Sequence, residues 1–237
     1  MKSPFGRREP APTAAEAEAA EAAPQSLAEL APSRVDVLAQ AAYLELVLFQ
    51  ELSDLVAEAP RLAGKHTIGQ AAAEALERNE GFLARLADEG VEPGAELRRV
   101  SPSLDGFVER VRGRDTHERI LTCYLISGLL HDVYRELVGQ FPAAPKAKVE
   151  PLLDDAEEQE MLRGVIRSIT EATPVAGDRI AMWGRRVMGD CIVFVRDLFG
   201  LPRGERGPEA SAALVESFTS TLMANHSRRM SAIGLAA

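Results

Sequence analysis

Glu45 interrupts an apolar helical stripe made of Leu38, Ala41, Leu48, Phe49, Leu52 and Leu55. An uncompensated charge in such a stripe costs several kcal/mol, so this carboxylate needs a partner. Asp155 and Glu158 repeat the pattern: at roughly 100° per residue they share a helix side with Leu162, Val165, Ile166 and Ile169. Acids from separate helices aimed at one core point to a bound metal, a buried basic group, or a proton kept on the carboxyl. Without a metal, Glu45 requires a partner such as an arginine or a retained proton.

Further acids extend the set. Glu74 and Glu77, spaced i, i+3, fall on a second predicted helix, and Asp132 falls on a third. The apolar face of the second helix is Ile68, Ala72, Ala75, Phe82, Leu83 and Leu86; Glu77 points nearly opposite to it and Glu74 obliquely. The third helix is apolar on every side and leaves the direction of Asp132 open. Asp190 stands among Trp183, Val187 and Phe194, and pairing with Arg186 four residues earlier, or with another arginine, suits it better than metal ligation.

The elements that must position these residues are helical. The chain has 237 residues, 46% apolar and only 5% aromatic, and is rich in Ala, Leu and Glu, which favours one all-α domain. Residues 1–32, dominated by Ala, Glu and Pro, read as a disordered tail, leaving 33–237 as the helical domain. The first helix starts at the Ser33 cap and runs to about Ala57, and the second covers about Lys65 to Glu89 before Gly90. A long connection, Val91 to Arg114, carries a short amphipathic piece with Leu104, Phe107, Val108 and Val111. The third helix opens at Asp115 with Glu118 as a capping box, and the fourth covers about Lys146 to Thr170, started or bent by Pro151. Two more follow, about Asp178 to Leu198 and Glu209 to Ile233.

A short turn, a long crossover and another short turn give the connectivity of a ferritin-like four-helix bundle with parallel second and third helices. The two C-terminal helices pack outside it. In such bundles a di-metal centre takes a Glu from each of two helices and a Glu-x-x-His from each of the other two, because i and i+3 share a face. Here Glu45 stands alone on the first helix, Glu74-x-x-Glu77 and Asp155-x-x-Glu158 form pairs on the second and fourth, and Asp132 is the third helix's acid; the acidic members are present and the histidines are not.

Other chemistries find little support. The formal net charge of -9 disfavours nucleic-acid binding by phosphate neutralisation, although Arg179, Arg185, Arg186, Arg228 and Arg229 would form a basic patch if they met in space. Cys123 and Cys191 read as buried thiols of a reducing compartment, no stretch is long and apolar enough to span a membrane, and a cytoplasmic protein is expected. His66, His117, His131 and His226 are scattered without metal-ligand spacing, and His131 reads as a core or surface histidine. Tyr124 and Trp183 read as core aromatics. No nucleophile elbow, phosphate-cradling glycine loop or zinc cysteine cluster occurs.

Seven stretches carry a family resemblance: AYLELVLFQEL (42–52), AAAE (71–74), GVEP (90–93), HDVYREL (131–137), LLDD (152–155), RIAMWGRRVMGD (179–190) and HSRRMSAIGLAA (226–237). They are similar to bacterial ferritin-like proteins of the kind that includes the tRNA hydroxylase acting on 2-methylthio-N6-isopentenyladenosine. The likeness spans most of residues 34–237. It implies two iron or manganese ions, with Glu45, Glu74, Asp132 and Asp155 as ligands and with Glu77 and Glu158 at the family's histidine places. It further implies an oxygen-dependent oxidoreductase, a hydroxylase, with tRNA as partner, against which the acidic charge argues; no residue is assigned a catalytic role beyond metal binding. Six carboxylates around two divalent ions would leave net negative charge in a low-dielectric site. The alternative is a metal-free ferritin-like scaffold acting through protein contacts, such as a homodimer, with Phe218, Leu222, Met230 and Ile233 aligned as a docking segment.

Overall fold

Helix boundaries follow local chemistry. The computed structural model describes Pro24, residues 26–201 and residues 209–237. Helix α1 (Arg34–Glu58) begins where the Ser33 hydroxyl accepts the amide of Asp36 at 3.1 Å, satisfying one orphan donor of the first turn. Helix α2 (Leu62–Asp88) ends just before Gly90, whose φ of 79° is readily adopted only by a residue without Cβ. Helix α3 (Pro93–Val111) is capped by the Glu92 carboxylate, which accepts the amide of Gly94 at 2.9 Å. Helix α4 (Thr116–Gly139) is capped by Asp115, which accepts from His117 and Glu118 at 3.0 Å each. There follow α5 (Ala143–Val149), a 3-10 turn (Glu150–Leu153), α6 (Ala156–Ala172), α7 (Pro174–Leu198) and α8 (Glu209–Ala232).

Cross-helix pairings set the directions. Arg34 bonds Glu89, Arg78 bonds Glu45, and Lys65 bonds the carbonyl of Val56, so α1 and α2 are antiparallel. Arg119 reaches Glu51 and Glu58 while His131 reaches Glu45, which makes α4 antiparallel to α1 and therefore parallel to α2. Gln159 donates to the carbonyl of Tyr124 at 3.0 Å and Asp155 meets His131, so α6 is antiparallel to α4. Helices α1, α2, α4 and α6 form the core, and α3 is the crossover, laid along α1 by the Arg99–Asp36 and Tyr43–Asp105 contacts. Helices α7 and α8 pack against α4 from outside. The fold is all-α and ferritin-like.

Several segments differ from the pattern-based expectation. The connection between the second and third core helices is almost entirely the helix α3. Pro102 lies inside it and removes the amide donor for the carbonyl of Arg98, to which the Ser101 hydroxyl donates instead at 3.3 Å. The buried stripe of Val100, Leu104, Phe107 and Val111 outweighs the local cost of that proline. The helix expected over about 146–170 breaks at Pro151 into α5, the 3-10 turn and α6. Asp155 therefore sits at the N-cap of α6, outside the helix itself.

The residues expected to line a docking segment are covered by their own chain: Phe218, Leu222, Met230 and Ile233 are all buried, and α8 packs against α4 and α7. The tail read over residues 1–32 lies mostly outside the described residues; within it, Leu27–Leu30 form one helical turn whose leucines pack on the core. Among the described residues no helix is long and apolar enough to cross a membrane. Cys123 and Cys191 are buried free thiols.

Candidate functional site

Midway along the bundle, four core helices deliver charged side chains to one point. Glu45 from α1, Arg78 from α2, His131 from α4 and Glu158 from α6 are all buried, with relative exposures of 0%, 7%, 1% and 0%. Arg78 Nε donates to Glu45 Oε2 at 3.0 Å, and Nη2 reaches the same oxygen at 3.0 Å. Nη2 also donates to Glu158 Oε2, so one guanidinium edge joins α1 to α6. Its third nitrogen faces Glu74, one turn earlier on α2 and partly exposed, at 3.7 Å. One residue on, Asn79 donates to the carbonyl of Ala42 at 2.7 Å and pins α2 to α1.

His131 is held between two carboxylates. Nε2 donates to Glu45 Oε1, and Nδ1 lies 3.4 Å from Asp155 Oδ2. Both ring nitrogens are thus placed as donors, which suits the imidazolium form. Burial on its own would lower the His131 pKa, but the charge of Glu45, its bond to Nε2 and the nearby Asp155 carboxylate outweigh it and raise it to about 9. For Asp155, burial pushes upward, yet the adjacent His131 imidazolium, with Arg135 and Arg229, holds it below the ordinary carboxylate range. Burial pushes Glu158 up against the pull of Arg78 and leaves it raised. The two carboxylates of Glu45 and Glu158 are balanced by the two cations of Arg78 and His131.

The charges continue outward in alternating sign. Asp155 meets Arg135 at 3.4 Å, Arg135 meets Asp132 at 3.0 Å, and Asp132 accepts from Arg229 of α8 at 2.8 Å and from Asn225 at 2.7 Å. Arg229 also donates to the carbonyl of Gly128 at 2.8 Å. The same row of charges that ties four core helices at the centre thereby anchors the outer helix α8.

Of the acids singled out from the sequence, the structure gathers Glu45, Glu158 and Asp155 around His131 and Arg78, with Glu74 at the rim. Glu77 is exposed on the far side of α2. Asp132 turns toward α8, where Arg229, Asn225 and Arg135 hold it. Asp190 lies 3.6 Å from Arg110 and 4.0 Å from Arg186, and Arg186 stacks over Trp183 at 5.1 Å. The five arginines of the anticipated basic patch do not act together: Arg179 is taken by Asp115 and Glu118, and Arg229 by Asp132. Among the described residues no group of three His, Cys, Asp or Glu side chains is arranged to hold a metal ion.

Sequence reasoning missed Arg78 and gave His131 no role at the site. A signal for Arg78 existed: at four residues after Glu74 and three after Ala75, it stands in the inward ladder Ala71, Ala75, Arg78, Phe82. His131 had none, because α4 is buried nearly all round.

A four-helix core with parallel second and third helices, a helical crossover and buried acids at its middle defines a ferritin-like protein. The chain belongs to the family described as Ferritin-like domain, actinomycetes, whose model matches residues 29–197, from the first described turn through nearly all of α7. No curated protein matches the chain.

Proposed function

We propose that this protein is a ferritin-like helical scaffold whose centre is held by an internal cation in place of a di-metal centre, and that it works through protein contacts of its outer surface. The observation that carries this reading is the Arg78 guanidinium lodged between Glu45 and Glu158. The residues present do not fit a pair of iron or manganese ions. The ions would have to displace that guanidinium, recruit Glu77 from the exposed side of α2, and pull Asp132 away from Arg229, Asn225 and Arg135. A buried cation that already neutralises its acids removes the electrostatic reason for a metal.

For contacts, Val175 and Met182 are 84% and 68% exposed and lie seven residues apart, on one face of α7. Self-association through this face is the contact mode in this reading. The hydroxylase reading drawn from the resemblance keeps one observation in its favour, the approach of Glu45, Glu74 and Glu158 to the same guanidinium. Metal analysis decides between them. Protein exposed to Fe²⁺ or Mn²⁺ and desalted should retain far less than the about two equivalents a di-metal centre holds, with no rise in Tm. Near-stoichiometric retention with a raised Tm would overturn the scaffold reading. The contact mode is checked separately: V175D/M182D should lower the solution mass at unchanged Tm.

A further inference from the structure

Resting on the contact mode read above for α7, we propose that Asp178 and Arg185 make this face specific for a second copy of the same chain. The two copies lie as an antiparallel α7 pair with a twofold axis beside Met182, and Asp178 of each pairs with Arg185 of the other. Val175, Asp178, Met182, Arg185 and Gly189 are all exposed and recur along α7 at alternating steps of three and four residues. That is the spacing of a seam along which one helix lies on another. The residues between them, among them Ile180, Trp183 and Val187, are buried against the chain's own core.

Charge decides what fits this seam. Among the described residues the side chains of Asp178 and Arg185 make no ion pair or hydrogen bond, whereas Arg179 beside them is taken by Asp115 and Glu118. An open groove runs along the seam, and on its far wall Arg167 and Glu171 of α6 are unpaired as well. The groove therefore presents two free cations and two free anions, a neutral lining in a chain of formal net charge -9. A strongly acidic or strongly basic partner gains nothing from such a surface. Two copies can meet there without the repulsion that their net charge imposes elsewhere.

Only one relative direction satisfies the charges. A parallel pair about a twofold axis sets Asp178 against Asp178 and Arg185 against Arg185. In an antiparallel pair centred on Met182, residues equally far before and after Met182 face each other, and every contact occurs twice. Met182 then meets its own copy. Val175, seven residues before it, meets Gly189, seven after, where nothing lies within 4 Å of an added Cβ and the missing side chain admits the valine. Asp178, four before, comes between Arg185 and Arg186, three and four after; Arg186 already stacks over Trp183, which leaves Arg185 as the free cation. At 1.5 Å per residue the seam from Val175 to Gly189 is about 21 Å long. So short a contact associates reversibly, and the population of the pair changes with concentration.

The test is sedimentation velocity over a range of concentrations on wild type, D178R, R185D and D178R/R185D. Each single variant places like charges at both symmetric contacts and should weaken self-association by about tenfold or more at unchanged Tm. D178R/R185D restores both pairs with their signs exchanged and should associate nearly as tightly as wild type. An equal mixture of D178R and R185D should also recover, because each chain supplies what the other lacks. Single variants that associate as wild type does, or a folded double variant and a mixture that both stay monomeric, overturn the proposal. A mixture that associates while the double variant does not fits a parallel pair and overturns it too. V175D/M182D lowering the solution mass while the charge variants match wild type would remove this inference alone. Wild type that is monomeric at every concentration would remove the contact mode itself.

Discussion

Glu45 meets Arg78 through a single oxygen, which accepts from Nε and lies beside Nη2 at 3.0 Å each, and leaves its other oxygen to His131. Because both members of the Glu45–Arg78 pair are buried, removing one strands the other in a low-dielectric interior. That asymmetry governs the first prediction.

R78M should destabilise the fold by about 3–5 kcal/mol, since it leaves Glu45 and Glu158 with only the His131 cation between them. The triple variant R78M/E45Q/E158Q, which removes the stranded charges as well, should recover much of the loss. Urea unfolding followed by circular dichroism measures both, and equal stabilities for the single and triple variants would contradict the charge argument.

Two histidines should shape the pH profile from opposite sides. Folding raises His131 from the ordinary 6.5 to about 9, so the native state holds its proton more tightly. That contribution is complete below about pH 6.5 and is lost as pH rises through about 9. His226, with neither ring nitrogen bonded to protein, is lowered to about 4 by burial and by Arg229. It stays neutral in the native state while the unfolded chain protonates, so stability falls as pH drops from about 6.5 to about 4. H131Q should flatten the alkaline limb of unfolding free energy against pH, and H226L the acid limb.

Gly128 and Gly164 should respond in opposite ways to alanine. A Cβ at Gly128 would run into the Arg229 side chain and disturb its bonds to the Gly128 carbonyl and Asp132, loosening α8. We expect G128A to cost about 1–3 kcal/mol. Gly164, inside α6, has nothing within 4 Å of the added carbon, and G164A should gain about 0.5–1 kcal/mol. Thermal melts of the two variants give the comparison; a shift of the same sign for both would count against it.

The single tryptophan reports on α7. Trp183 Nε1 donates to the Thr122 hydroxyl at 2.8 Å, and that hydroxyl donates to the Val111 carbonyl at 3.0 Å, tying α7 to α4 and α3. T122V leaves the indole N–H and the carbonyl unpaired and should cost about 1–3 kcal/mol. A midpoint of fluorescence-detected unfolding that does not move would show the tie to be dispensable.

How much could be read before folding varied from residue to residue. The inward direction of Glu45 and Glu158 followed from apolar spacing, because burial of a helix face is written in its period. Asp132 could not be oriented that way, since α4 is apolar around its whole circumference; Arg229, nearly a hundred residues later, turns it toward α8. Pro151 announced a disturbance but not that the helix would restart five residues on with Asp155 at its cap. Glu77 was already suspect from its phase, and it lies in solvent.

Local patterning was enough for the core helices α1, α2 and α4, for the Ser33 and Asp115 caps and the Gly90 stop, and, with the connection lengths, for the ferritin-like bundle, because those depend on spacing along the chain. The need of Glu45 for a partner was equally plain, since a lone buried charge is too costly to persist. Which partner it has was decided only in three dimensions. Arg78 and His131 come from α2 and α4, and only the packing of four helices brings their nitrogens to the two oxygens of one carboxylate.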